Sequence, residues 1–103
     1  MARTRTSSYS EGEITRMIEN YAALKNMVDT KPGFPLTLLL RMADLDYALD
    51  RLPLDLWRVV LVHGLLQVQR DDAARELHLS TGAVSKRFQL GIEEVAYHMN
   101  GGT

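Results

Sequence analysis

Apolar residues recur along this chain at the three- and four-residue spacing of helices, and the breaks between runs predict an all-α protein of about five helices. Ser10-Glu11-Gly12-Glu13 has the form of a capping box, and a helix should follow to about Asp29. Ile14, Met17, Ile18, Tyr21, Leu24 and Val28 fall on one of its faces. Lys31-Pro32-Gly33-Phe34-Pro35 is a breaker. A second helix is predicted from about Leu36 to Arg51, with Leu38, Met42, Leu45, Leu49 and Leu52 along its main stripe. Leu40 and Tyr47 lie on its opposite side, so it should be sandwiched between the first helix and the rest. Pro53 suits the first turn of a third helix, where its missing N–H costs nothing, and Asp55 favours the same end through the helix dipole. From Leu54 to Leu66 apolar residues run nearly all the way round. Leu56, Val59, Val60 and His63 make one side, Leu54, Leu61 and Leu65 another, with Trp57 between. Such a helix is central or faces two partners.

The stretch Arg70–Gln89, RDDAARELHLSTGAVSKRFQ, has the pattern of a helix-turn-helix. Ala73, Ala74 and Leu77 form the apolar side of a short helix, and Ser80 can cap the helix that follows. Val84 and Phe88 point inward at i, i+4, and the small Ala74 lets the two helices cross closely. The outer face of the second helix then carries Gly82, Lys86 and Gln89, with Ser85 and Arg87 on its shoulders. Small, polar and basic side chains on a protruding helix suit a DNA major groove. Arg70, Ser80, Thr81, Gly82, Ser85, Lys86, Arg87 and Gln89 are therefore the candidate DNA-contacting residues, the reading helix spanning 81–90. The bland alternative is a helical corner whose polar face is merely wet. The last helix should run on to about Met99, keeping Val84, Phe88, Ile92, Val95 and Met99 on one face. Leu90 and Tyr97 lie off it, where they would touch the first helix or a second subunit, and Asn100-Gly101-Gly102 ends it.

Upstream, Ala48-Leu49-Asp50-Arg51-Leu52-Pro53 leads into Trp57-Arg58-Val59-Val60-Leu61 and then His63-Gly64-Leu65. With the corner, this resembles region four, the C-terminal promoter-reading domain, of bacterial sigma factors. The resemblance covers about half the chain, from Ala48 to about Val95. It rests on Leu49, Leu52, Pro53, Val60, Leu61, Gly64, Leu65, Ala74, Leu77, Leu79, Ser80, Gly82, Val84, Ser85, Arg87, Phe88 and Gly91. The chain departs from the family where Asp72-Ala73-Ala74 replaces Glu-Ile-Ala, where Ala83 replaces a threonine, and where His78 stands at a position often held by glycine. It also carries Leu66-Gln67-Val68-Gln69 where a serine usually caps the first helix. The resemblance implies a C-terminal trihelical helix-turn-helix with an N-terminal helical extension, binding double-stranded DNA as a transcription regulator and contacting RNA polymerase through the helix around Trp57. The 47 residues ahead of the resemblance are too few for the separate promoter-opening domain of a complete sigma factor. The expectation is therefore a stand-alone regulator of the kind found in phages and mobile elements. Its rivals are a dimeric repressor or activator, a phage DNA-packaging adaptor of the small-terminase type, and an interaction module that has lost DNA binding.

Composition refines this picture. The 103 residues, 46% of them hydrophobic, suffice for one domain with one core. The absence of cysteine excludes disulfides and zinc fingers. No run is long enough to span a bilayer and the start lacks an apolar signal region, so the expected setting is the cytoplasm, with no membrane partner. A net charge of −1 argues mildly against DNA binding, which draws most of its affinity from phosphate contacts. The charge is uneven, however: Arg70, Arg75, Lys86 and Arg87 cluster near the corner. Weak binding by an isolated copy, helped by formation of a homodimer or by a larger partner, is expected. Residues 1–9 read as a disordered basic tail, with Arg3 and Arg5 a candidate minor-groove arm. Residues 10–52 form the helical extension, 53–99 the helix-turn-helix, and 100–103 a disordered tail. Asp44, Asp46 and Asp50 read as a solvated acidic face, since only the last two share a helix face. His63, His78 and His98 are scattered, and His63 reads as a core histidine. No catalytic constellation, metal site or cofactor loop is expected.

Overall fold

Ser10 opens the first helix as its capping box predicts. Its hydroxyl accepts the Glu13 N–H at 3.1 Å, and its own N–H donates to the Glu13 carboxylate at 2.9 Å. Those bonds hold the Glu13 carboxyl below its ordinary value. In the computed structural model, which describes residues 9–30, 33 and 35–102, the chain is all-α, with six helices and no strand among the described residues. The extra helix arises because the predicted first helix breaks at Asn20, giving α1 (Glu11–Glu19) and α2 (Tyr21–Thr30). The Asn20 side-chain amide donates to the Arg16 carbonyl at 2.8 Å, the acceptor its own backbone N–H also uses, and this local competition ends the helix.

α3 (Leu36–Asp50) buries Met42, Leu45, Ala48 and Leu49. The predicted sandwich does not form. α1 lies on the later helices instead of on the outer side of α3, and Leu36, Leu40 and Tyr47 remain exposed. α4 (Leu54–Val59) then continues as a π-helical segment, Val60–Leu65. Its neighbours Val59 and Val60 are both fully buried but look into different cores. Val59 joins Ala73, Ala74 and Val84 under the corner, while Val60 joins the larger core of Tyr9, Ile14, Ile18, Leu45, Leu49, Ile92, Val95 and Met99. A helix with a core on each side has to be apolar nearly all round, which is the pattern its sequence shows.

Two close approaches hold α1 and the last helix, α6 (Thr81–Met99), onto this central helix. A Cβ on Gly64 would come within 2.8 Å of Ile18 and 2.9 Å of Phe88, and one on Gly91 within 2.5 Å of Val60. Only a residue without a side chain fits at either crossing.

α5 (Arg70–Leu77) and α6 (Thr81–Met99) complete the fold. Both predicted tails need correction at their inner ends. Tyr9, assigned to the disordered tail, is buried: its N–H donates to Asn100 Oδ1 at 2.7 Å, and Asn100 Nδ2 donates back to the Tyr9 carbonyl at 3.0 Å. The Tyr9 hydroxyl reaches Asp44 at 3.1 Å. Asn100 to Gly102 are likewise folded back, the Gly102 N–H donating to the Tyr97 carbonyl at 2.8 Å. Among the described residues no helix is long and apolar enough to cross a membrane.

Candidate nucleic-acid interface

The corner between α5 and α6 is fixed from both sides. His78 adopts the left-handed conformation, φ 56° and ψ 44°, just past the end of α5. The Leu79 N–H bonds to the Ala74 carbonyl at 2.9 Å and the His78 N–H to the Arg75 carbonyl at 3.3 Å, the paired bonds of a Schellman cap. Glycine adopts this conformation without cost, whereas a residue with a Cβ loses roughly 1–2 kcal/mol there. Two residues later Ser80 starts α6, its Oγ accepting the Ala83 N–H at 3.1 Å. Ala73, Ala74 and Val84 close the corner's own core, with Leu77, Leu79 and Phe88 at its edge. The Phe88 ring meets His63 edge-on at 5.0 Å. His63 Nδ1 lies 2.8 Å from the Val68 carbonyl and donates to it, which ties the end of the π segment to the approach to α5.

On this support the candidate residues separate into three groups. Thr81, Gly82, Ser85 and Lys86 are exposed on the first turns of α6, and a Cβ on Gly82 would meet nothing. The fold therefore places no steric demand for glycine at that position. Arg70, at the start of α5, joins them, its guanidinium donating to Ser85 Oγ at 3.2 Å. Arg87 is half-buried at the edge, lining a small cleft with Asp55, Arg58, Leu77 and Leu79. Gln89 and Ser80 are already engaged. The Gln89 amide donates to Glu11 at 2.9 Å and to Glu93 at 3.3 Å, and Ser80 is the helix cap. Arg3 and Arg5 lie outside the described residues.

The electrostatics of the face are mixed. Asp71 and Asp72 occupy the first turn of α5, and Asp72 is paired with Arg75, which takes that arginine out of the set of free cations. Arg70 and Lys86 are the basic groups facing outward beside the exposed turn. Glu11 is the contributor that sequence reasoning missed. It stands 78 residues from Gln89, in the first turn of a helix whose docking site no local pattern identifies. Elsewhere, the described residues hold no group of three or more His, Cys, Asp or Glu arranged to bind a metal ion.

No family model, no curated protein and no solved structure matches this chain.

Proposed function

We propose that this protein is a sequence-specific DNA-binding transcription regulator that inserts the first turns of α6 into a major groove, in the manner that its resemblance to sigma factor region four implies. The observation that carries this reading is the exposed run Thr81, Gly82, Ser85 and Lys86 at the start of a helix braced by two caps and its own core. A lysine can donate to guanine acceptors, and a helix presented end-on with a glycine near its start approaches a groove floor closely. Arg70 and Arg87 flank the run where phosphates pass. The reading includes work as a homodimer on paired half-sites, because so few cations on one copy supply little affinity. It also includes a contact with RNA polymerase through the α4 region.

Gln89 favours a second reading, a protein-interaction module. Its amide is held by two carboxylates, and a carboxylate beside a reading helix repels phosphate. Selection of binding sites from a randomised duplex library separates the two. A regulator enriches one short motif, with binding that weakens steeply as salt rises. An interaction module enriches nothing. Glu11→Ala should tighten DNA binding under the first reading, since it removes a negative charge and leaves Gln89 held by Glu93 alone.

A further inference from the structure

α2 and α3 stand apart above the central helix, and the space between them is an open groove of about 600 Å³. Its floor is apolar, made by Leu49, Trp57, Leu61 and Leu65. Its walls are acidic: Asp29 comes from α2, and Asp46 and Asp50 from α3. The single cation in the lining is Lys25, 3.8 Å from Asp46. Among the described residues neither Asp29 nor Asp50 has an ion-pair partner. The Tyr21 hydroxyl donates to Asp46 at 2.5 Å. Burial first, then that bond and the charges of Asp46, Asp29 and Asp50, push its pKa up to about 12. The groove thus resists a further negative charge.

We propose that this groove binds a lipophilic organic cation, its apolar body on the Trp57, Leu61 and Leu65 floor and its charge held between Asp46 and Asp50. The size is that of small-molecule sites, which run from roughly 300 to 1,000 Å³. An indole face attracts a cation, and the neighbouring carboxylates add to that attraction in a partly desolvated setting. An anion meets repulsion here, and a neutral apolar molecule supplies no counter-charge to Asp29 and Asp50. This site is separate from the α5–α6 corner and stands whether or not the corner binds DNA.

Trp57 is the sole tryptophan and lines both this groove and a smaller cleft beside Leu52 and Leu54. Its fluorescence reports binding, and the substitutions at Asp29 and Asp46, which line the groove and not that cleft, assign the signal. The test titrates the protein with tetraphenylphosphonium and with tetraphenylborate, two ions of nearly the same shape and opposite charge. The cation should change Trp57 emission saturably, and the borate should bind far more weakly. The exposed-site variant Asp50→Asn should weaken the cation several-fold. The triple variant Asp29→Asn, Asp46→Asn, Asp50→Asn should weaken it by about tenfold or more, with the borate improved. Asparagine at 46 still accepts the Tyr21 hydroxyl, and a melting curve checks that each variant is folded. No saturable response to the cation, equal binding of both ions, or unchanged cation affinity in folded Asp50→Asn would each overturn the proposal.

Discussion

α1–α2 and α5–α6 are both helix pairs joined by a short break, and the sequence marks both with amphipathic spacing. They end in different states. The α5–α6 break is held by the Schellman bonds at His78 and the Ser80 cap, above a closed core. At Asn20 one side chain ends α1, and α2 then continues with no buried residue of its own. α5 is the shorter of the two, yet it buries Ala73 and Ala74. It can do so because Val59 and Val84 meet it from two sides, whereas α2 turns Ala22, Lys25 and Asp29 toward an open groove. Apolar periodicity states which face a helix offers. Burial also requires a second surface to receive that face, and this is a property of the whole fold. The corner is consequently the rigid end of the molecule, suited to presenting side chains at fixed positions, and α2 is the loosely supported one.

The largest expected effect tests that contrast directly. Val84→Asp puts an unpaired charge into the corner's core and should cost on the order of 5 kcal/mol, comparable to the whole stability of a small domain. Leu24→Asp in α2 should cost about 1 kcal/mol or less, because that side chain is only half-buried. Equal losses in urea melts would mean that α2 is packed as tightly as the corner. Next comes Gly91→Val, which drives a branched side chain into Val60 and should cost about 2 kcal/mol. Asn100→Ala removes both bonds to Tyr9 and should cost about 1 kcal/mol, read as a lower thermal midpoint. The smallest change is a gain. His78→Gly relieves the left-handed cost but loosens the unfolded chain, for a net stabilisation of roughly 0.5–1 kcal/mol. A destabilised His78→Gly protein would mean that the imidazole makes the cap in some way beyond its backbone.

The corner was legible because its signals are local. Ser80 caps α6 within three residues, Val84 and Phe88 are one turn apart, and the α6 end at Asn100 follows from its glycines. Features that depend on distant partners were not legible. Tyr9 and Asn100 are 91 positions apart, and nothing in MARTRTSSY distinguishes its last residue as a core tyrosine. The π segment at Val60 shows in the sequence only as an apolar surround, which a buried α-helix would produce equally well. The outer face of α3 misled for a related reason. Leu40 and Tyr47 do form a second apolar face, but α1 found its seat on Gly64 and α6 instead. Within the candidate interface, the exposure of Thr81, Gly82, Ser85 and Lys86 follows from helix phase alone. The capture of Gln89 by Glu11 does not.

The proposed reading of DNA by the start of α6 is tested by affinity for a selected duplex and its scrambled counterpart at two salt concentrations. Affinity is measured for the parent, Lys86→Ala and Arg87→Ala, each with a melting curve. The parent should prefer the selected duplex. Lys86→Ala should lose roughly 1–3 kcal/mol on that duplex while melting like the parent. Arg87→Ala should weaken both duplexes about equally and lower the salt slope by about one. Undiminished binding by both folded variants, or a parent that binds the two duplexes alike, would mean that the start of α6 does not read DNA.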